Sequence, residues 1–270
     1  MATRSWIVSG PSQHQLDGVT RLRVQLVAGS VDVRTHDDPH VWVDVTDLRG
    51  NPLELTVENG RLTVGYPSIG WDGWVKRLRS YSSSDSARLT VRVPRGTAVT
   101  AATASADAYV ADLAEDIHLN TATGALVVTG SRGAASLRSA SSDITVSGHD
   151  GPVTATTAAG RVSLGGDLPR ADVNSVSGFV EVRSTAQTSK VGVGTVSGDM
   201  LVALPAGTGV SLTARSLTGA VRLDGADRKA SGFGATTLED RTDGGICFLT
   251  SRSVSGSLDV TRTPTALPGT

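Results

Sequence analysis

The chain has 270 residues, 39% of them hydrophobic, with 25 basic and 26 acidic side chains. This balance creates no long-range field that favours nucleic acid or an anionic membrane, so we expect neither as a partner. Four Trp, three Tyr and three Phe are its only aromatic residues, whereas glycine occurs 31 times, which indicates short strands joined by tight turns around an aliphatic core.

The first residues, MATRSWIVSGPSQHQLDG, lack the apolar run of about seven residues and the small-residue cleavage site of a secretory signal. No window approaches the roughly 18 consecutive apolar residues that mark a membrane-spanning helix. We therefore expect a cytoplasmic protein with no membrane insertion. The single Cys247 has no cysteine to pair with, and we expect it to be a small buried hydrophobic side chain.

Residues 1–96 are predicted to form an N-terminal β region that caps the repeats after residue 96. Within LVAGSVDV, Gly29 is predicted to turn a corner and to leave Val31 and Val33 pointing inward. Alternating apolar residues predict four stretches of strand, RLRVQLVAGSVDVRTH (21–36), HVWVDVTD (40–47), LELTVENGRLTVGY (53–66) and ARLTVRVPRG (87–96).

The stretch 65–86, GYPSIGWDGWVKRLRSYSSSDS, interrupts these strands with a cluster of aromatic and basic residues. Long loops in compact domains are often functional, and aromatic and Arg side chains are frequent in binding interfaces. The alternative is that the two tryptophans fold back as a cap. The candidate binding residues here are Tyr66, Trp71, Trp74, Lys76, Arg77, Arg79 and Tyr81.

From residue 97 to 262 one phrase recurs, [ST]-x-[ST]-G followed by alternating apolar residues. Its glycine position is occupied by Ala106, Gly124, Ser142, Gly160, Gly178, Gly198, Gly219 and Gly256, with separations of 18, 18, 18, 18, 20, 21 and 37. A sustained period is the signature of a repeat architecture. We predict an all-β fold, a single-chain parallel β-helix or β-solenoid of about 18 residues per rung, in which each rung stacks on its predecessor.

Three apolar columns should line the inside of this solenoid. The first is Ala104, Ala122, Ala140, Ala158, Val176, Val196, Leu217 and Val254. The second is Ala108, Leu126, Ile144, Val162, Val180, Met200, Val221 and Leu258. The third is Val110, Val128, Val146, Leu164, Val182, Val202, Leu223 and Val260.

The glycine is predicted to turn the corner because it accepts a positive φ without a Cβ clash. The Ser/Thr pairs before it, such as Thr121/Thr123 and Ser175/Ser177, should form two parallel hydroxyl rows on one side. Such rows could order water as an ice-binding surface does, although hydrogen bonding between strands is a sufficient structural reason for them.

Residues 224–250 are polar and rich in glycine, and they break the period. We interpret them as an irregular insertion, a bulged or looped rung, and residues 263–270 as a disordered tail.

The run LTVRVPRGTAVTAATASADAYVADL (89–113), together with the serial SG phrases after it, resembles a bacterial "putative adhesin" family of unknown function, related to autotransporter adhesin head domains. The resemblance covers roughly residues 20–262. It implies a β-helical or solenoid fold and brings no catalytic residues with it.

Chemical motifs are sparse. HDDPH (36–40) could seat a metal if a fourth ligand arrived from elsewhere, but Asp-Asp-Pro is also ordinary turn chemistry. Asp107, Asp143 and Asp199 share one column, as the carboxylates of a polysaccharide-cleaving solenoid enzyme would. Their separation of two or more rungs favours turn residues instead. We therefore expect no catalytic residue, no metal and no cofactor.

The sequence favours a non-enzymatic binding or scaffold protein whose partner is a protein or a second copy of the chain. Outward residues that could contact such a partner are Tyr109, Val127, Leu201 and the corner residue Phe179. The alternative is a carbohydrate-active enzyme or a carbohydrate-binding module on a β-helix, and fold alone cannot choose between them.

Overall fold

The computed structural model describes residues 3–66, 85–228, 235–242 and 244–263. Every regular element in these ranges is a β-strand. The described residues include no helix long and apolar enough to cross a membrane. The chain forms two compact units, an N-terminal unit of Met1–Ser142 and a C-terminal unit of Asp143–Thr270. The predicted all-β class is confirmed. The predicted division into an N-terminal region (1–96), the repeats (97–262) and a tail (263–270) stays a prediction.

The N-terminal unit contains strands β1 to β11. They are Arg4–Val8 (β1), Ser12–Leu16 (β2), Arg21–His36 (β3), Val41–Arg49 (β4), Leu53–Glu58 (β5), Arg61–Gly65 (β6), Ser86–Pro94 (β7), Ala98–Ala111 (β8), Ile117–Thr121 (β9), Leu126–Thr129 (β10) and Ala135–Ser139 (β11). The predicted strands correspond to β3 to β7. The sequence pattern did not indicate β1 and β2, whose short polar segments alternate weakly.

Strand β3 organises this unit. It pairs in parallel with β8, so that Gly29 lies opposite Ala106 and Val31 opposite Ala108. Val31 and Val33 are fully buried, as predicted. The chain therefore begins the repeat register within its first strands, well before the [ST]-x-[ST]-G phrase appears.

Antiparallel strands cover the other partners of β3. Strands β6 and β7 pair in parallel with β3, and their free edges pair with β5 and β4. Strands β1 and β2 then pair with β5 and β4. Because an exposed parallel edge can pair with another chain, these strands protect the edge.

The C-terminal unit contains strands β12 to β24. They are Ile144–Asp150 (β12), Val153–Ala159 (β13), Val162–Asp167 (β14), Arg170–Ser177 (β15), Val180–Ser184 (β16), Thr188–Ser197 (β17), Met200–Pro205 (β18), Gly209–Ser216 (β19), Val221–Leu223 (β20), Ala226–Asp227 (β21), Ala235–Asp240 (β22), Ile246–Ser253 (β23) and Leu258–Thr263 (β24).

Parallel pairing in this unit follows the repeat register. Ile144 lies opposite Val162, Val162 opposite Val180, and Val180 opposite Met200. Every residue of the second and third predicted columns is buried in its unit. These two columns are confirmed as core.

The first predicted column is wrong. Val176, Val196, Val254 and Leu217 are exposed, at 51%, 48%, 47% and 56% of their surface. The period-2 alternation does not continue through the glycine corner. In β15 the inward residues are Ala171, Val173 and Ser175, whereas the inward residues of β16 after the corner are even-numbered.

Because the inward residues switch from odd to even numbers at the corner, the core contains further columns. The sequence pattern did not indicate these columns. Val173 lies opposite Val193, and Val193 lies opposite Ser251. The Ser251 hydroxyl contacts Met200 Sδ at 3.4 Å, which shows that the columns before and after the corner meet inside the unit.

The last repeats do not stack in chain order, contrary to our expectation. Strand β24 lies between β18 and β20, with Val202 opposite Val260 and Val260 opposite Leu223. Likewise β23 lies between β17 and β19. The repeat at Gly256 is thus inserted between those at Gly198 and Gly219, and the 37 residues from Gly219 to Gly256 include the additional strands β21 and β22.

Within residues 224–250, the described strands β21 and β22 run antiparallel to their neighbours, and the predicted irregular insertion stays a prediction. Strand β22 pairs antiparallel with β19, and the short β21 pairs antiparallel with β20. These reversed strands cover the edge that the parallel strands would otherwise leave open.

Candidate functional site

The first Ser/Thr of each phrase is a structural group of the corner. Thr121 Oγ1 accepts a hydrogen bond from the backbone N–H of Gly124 at 2.9 Å, and Thr103 Oγ1 donates to Thr121 Oγ1 at 2.9 Å. Ser175 Oγ donates to the carbonyl of Ser177. This row is buried or half-buried, so the predicted face of two exposed hydroxyl rows does not form.

The glycine of the phrase is required by close approach between neighbouring strands as well as by φ. A Cβ on Gly198 would lie 2.1 Å from the carbonyl oxygen of Gly178, although Gly198 is outside the left-handed region. Gly178 has a φ of 126°, and a Cβ there would meet the Gly160 carbonyl oxygen at 2.1 Å. Positive φ alone therefore does not explain why the repeat places glycine at its corner.

The aspartates of the phrase connect neighbouring strands. Asp107 Oδ1 accepts the Ala125 N–H at 2.8 Å, and Asp143 Oδ1 accepts the Arg161 N–H at 2.7 Å. Asp199 Oδ1 accepts the N–H of Ser257 at 2.9 Å. Each carboxylate thus satisfies a backbone donor where the next strand begins, which is a structural role.

The side chains that the C-terminal unit leaves outward at its corners are aliphatic. Four of them, here called the aliphatic ridge, lie one after another at or just past the C-terminal ends of adjacent strands: Val176 in β15, Val196 in β17, Val254 after β23 and Leu217 after β19. Their order is set by hydrogen bonds, since the Ser255 N–H donates to the Val196 carbonyl and the Thr218 N–H to the Val254 carbonyl. Ser177, Ser197, Ser255 and Thr218 form a polar row beside the ridge.

Two of the predicted partner-binding residues are described in the N-terminal unit. Tyr66 is buried, at 3% exposure, and Tyr109 is exposed between Asp32 and Val127. Trp71, Trp74, Lys76, Arg77, Arg79 and Tyr81 lie outside the described residues, so the choice between cap and binding loop stays open.

Two predicted contact residues of the C-terminal unit have charged neighbours. The Phe179 ring lies under the guanidinium of Arg161, 5.2 Å from its centroid. Leu201 is half-buried between Glu181 and Asp259.

HDDPH connects β3 and β4, and its side chains make polar contacts. His40 Nδ1 lies 2.5 Å from Asp17, and Arg95 Nε lies 3.2 Å from Asp37. Within the described ranges no three His, Cys, Asp or Glu side chains are grouped to hold a metal. Cys247 is fully buried, as predicted, and burial raises the pKa of its thiol.

An ion cluster joins the last strands of the C-terminal unit. Arg262, on β24, pairs with Asp224 after β20 and with Asp240 at the end of β22. Burial opposes ionisation of Asp224, but hydrogen bonds from Arg262 outweigh it and lower the pKa of the carboxyl below its ordinary value. The Asp224 hydrogen bond in turn raises the pKa of Arg262.

A polar groove of about 280 Å³ lies on the outer face of β15, β17 and β23. Gly192 and Gly194 form its floor. Its walls carry polar and charged side chains, Arg170, Asp172, Asn174, Lys190, Thr250 and Arg252. The sequence pattern did not indicate this groove, because Gly192 and Gly194 resemble turn glycines there.

These features match a described family. The model of the Toastrack DUF4097 family matches residues 19–238. The chain belongs to this family. The matched range includes most of the N-terminal β region and the repeat phrases up to Gly219, and no curated protein matches the chain.

Solved structures similar to this Toastrack chain share little of its sequence. A "putative adhesin" from Bacteroides fragilis is 9% identical, with a TM-score of 0.48 and coverage of 96% of each chain. A "putative lipid binding protein" from Parabacteroides distasonis is 10% identical, with a TM-score of 0.43 and coverage of 94% of this chain and 97% of that one. A "putative cell adhesion protein" from Clostridium sporogenes is 12% identical, with a TM-score of 0.31 and coverage of 94% and 100%.

Proposed function

We propose that this Toastrack protein is a non-enzymatic binding protein, built on a β-solenoid of about 18 residues per rung, that self-associates through the aliphatic ridge. The observation that carries the proposal is the outward position of Val176, Val196, Val254 and Leu217 at or just past the ends of adjacent strands, each about half exposed. Contiguous exposed aliphatic side chains commonly mark a contact surface.

The rest of the repeat phrase supports a binding role. Its first hydroxyl holds the corner, and its aspartate accepts a backbone N–H of the next strand. The aspartates that a catalytic interpretation would use are therefore engaged in structure, and the ridge is an apolar surface that the repeats present to the outside.

A second copy is the partner that fits the ridge best. Neighbouring strands lie about 4.8 Å apart, so the ridge has that spacing. The ridge of a second copy has the same spacing. The side chains of the two ridges can therefore interdigitate along the whole length of the contact. Because four side chains bury far less than the roughly 1,200 Å² of a stable interface, we expect weak and concentration-dependent association.

Sedimentation velocity at rising concentration tests this function. We expect the wild type to associate and the double variant Val196→Ser, Val254→Ser to remain monomeric at the same concentrations. The matched control Ser197→Ala, Ser255→Ala changes the adjacent polar row and should associate like the wild type. A wild type that stays monomeric would contradict self-association, and an associating ridge variant would contradict the role of the ridge.

A further inference from the structure

The outer face of β17 carries two glycines where a strand usually carries side chains. Gly192 lies between Asp172 and Thr250, and Gly194 lies between Asn174 and Arg252. The alternate residues Val191 and Val193 are buried. Glycine weakens a strand interior, and its presence there often marks a place where another molecule approaches the backbone closely.

The absence of side chains at these positions creates the groove. A Cβ on Gly192 would lie 2.7 Å from Asp172 Oδ1, and a Cβ on Gly194 would lie 3.0 Å from Asn174 Oδ1. Both neighbouring atoms end flexible side chains, which could move aside. The fold therefore tolerates a residue other than glycine at Gly194, and packing between strands does not require the open floor.

The charges around the floor are mainly positive. Arg170 Nε pairs with Asp172 at 2.6 Å. Lys190 lies beside Arg170 at one end of the groove, and Arg252 lies beside Gly194 toward the other end. Among the described residues neither Lys190 nor Arg252 has an ion-pair partner, so each cation is available to an anionic group.

The spacing of these groups indicates an elongated ligand. Lys190 and the position of Arg252 are separated by four residues along the strands, about 13 Å. Thr250, between these two levels, offers a hydroxyl, and Asn174, level with Arg252 across Gly194, offers an amide; both suit the hydroxyl groups of a sugar. We propose that the groove of Gly192 and Gly194 binds an acidic oligosaccharide, with its carboxylates near Lys190 and Arg252 and its hydroxyls over the glycine floor.

Calorimetric titration of the full chain with tetragalacturonate tests this site. A neutral galactose tetramer is the second probe. We expect the acidic tetramer to bind and the neutral one to bind at least tenfold more weakly. No binding of the acidic tetramer, or equal binding of the two, would overturn the proposal.

Variants locate the site. Gly194→Val fills the floor and Arg252→Gln removes one cation, and each should weaken binding at least tenfold. Arg61→Gln removes a cation from a separate group of arginines, Arg21, Arg23 and Arg61, and should bind like the wild type. Unchanged binding by Gly194→Val and Arg252→Gln, or an equal loss in Arg61→Gln, would show that the acidic tetramer binds elsewhere.

Melting temperatures of the variants show whether a loss of binding results from unfolding. Because valine favours strands, Gly194→Val should melt at or above the wild-type temperature. If it unfolds, Arg252→Gln alone decides. The proposal is independent of self-association, so the ridge variant Val196→Ser, Val254→Ser should bind tetragalacturonate normally.

Discussion

Two sets of aliphatic side chains in the C-terminal unit differ only in their place relative to the corner. Val202 is fully buried opposite Val182 and Val260, whereas Val196, six residues earlier, is 48% exposed on the aliphatic ridge. Their chemistry is identical, and both recur with the repeat. The difference teaches that a corner resets the alternation of a strand, so residue type does not say which side of the repeat faces the core.

The largest effect is expected at the corner itself. Gly178→Ala should cost about 3 kcal/mol or more, because the new Cβ meets the Gly160 carbonyl and the backbone has a φ of 126°. Gly207→Ala is the matched control, since Gly207 also has a positive φ of 80° but no atom within 4 Å of the new Cβ. We expect about 1 kcal/mol there, measured by urea unfolding. A loss below about 0.5 kcal/mol at Gly178 would contradict this account.

The same substitution, valine to alanine, compares how much a core residue and a ridge residue contribute to stability. Val202→Ala should destabilise the protein by about 2 kcal/mol because it leaves a cavity in the core. Val196→Ala should change the free energy of unfolding by less than about 0.5 kcal/mol because its side chain is half exposed. Chemical denaturation of dilute samples checks both, and equal effects would show that the ridge is part of the core.

The ion cluster tests whether polar contacts hold the end of the C-terminal unit. Arg262→Gln should cost about 2 kcal/mol at neutral pH, because it removes charge-assisted hydrogen bonds to Asp224 and Asp240. The folded pKa of Asp224 is lowered, so this stability is present above its unfolded pKa of about 3.9 and is lost as the pH falls through the lowered value. The difference between wild type and variant should therefore shrink in acid, and a constant difference would contradict the assignment.

The smallest effect concerns an exposed residue that nevertheless has a structural role. Asp199→Ala should cost about 1 kcal/mol because the Ser257 N–H loses its acceptor. Asp259→Ala changes an outward carboxylate whose described contact is an ion pair with Arg222 and should cost less. Thermal unfolding of both variants checks the order, and the reverse order would show that the carboxylate of the repeat does not join neighbouring strands.

Much of the fold could be predicted because the repeat is periodic. The second and third columns and the strands β3 to β7 are implied by alternation alone, as at Val128, Leu164 and Val182. The residues of the ridge were predicted to face the core because the alternation of inward and outward residues was extended through the corner. The groove was missed because glycines at alternate positions of a strand have no pattern that distinguishes them from turn glycines.

The amino-acid sequence by itself determined that the protein is all β and which residues begin each repeat, because side-chain size and alternation act locally. It also indicated where the corners fall, although the close approach between neighbouring strands that requires glycine there belongs to the tertiary structure. Only the tertiary structure decided that β23 and β24 lie between earlier strands and that four aliphatic side chains face outward. It also decided that Gly192 and Gly194 form the floor of a groove. These features depend on which strands meet, and pairing between distant segments is set by packing and hydrogen bonding across the whole unit.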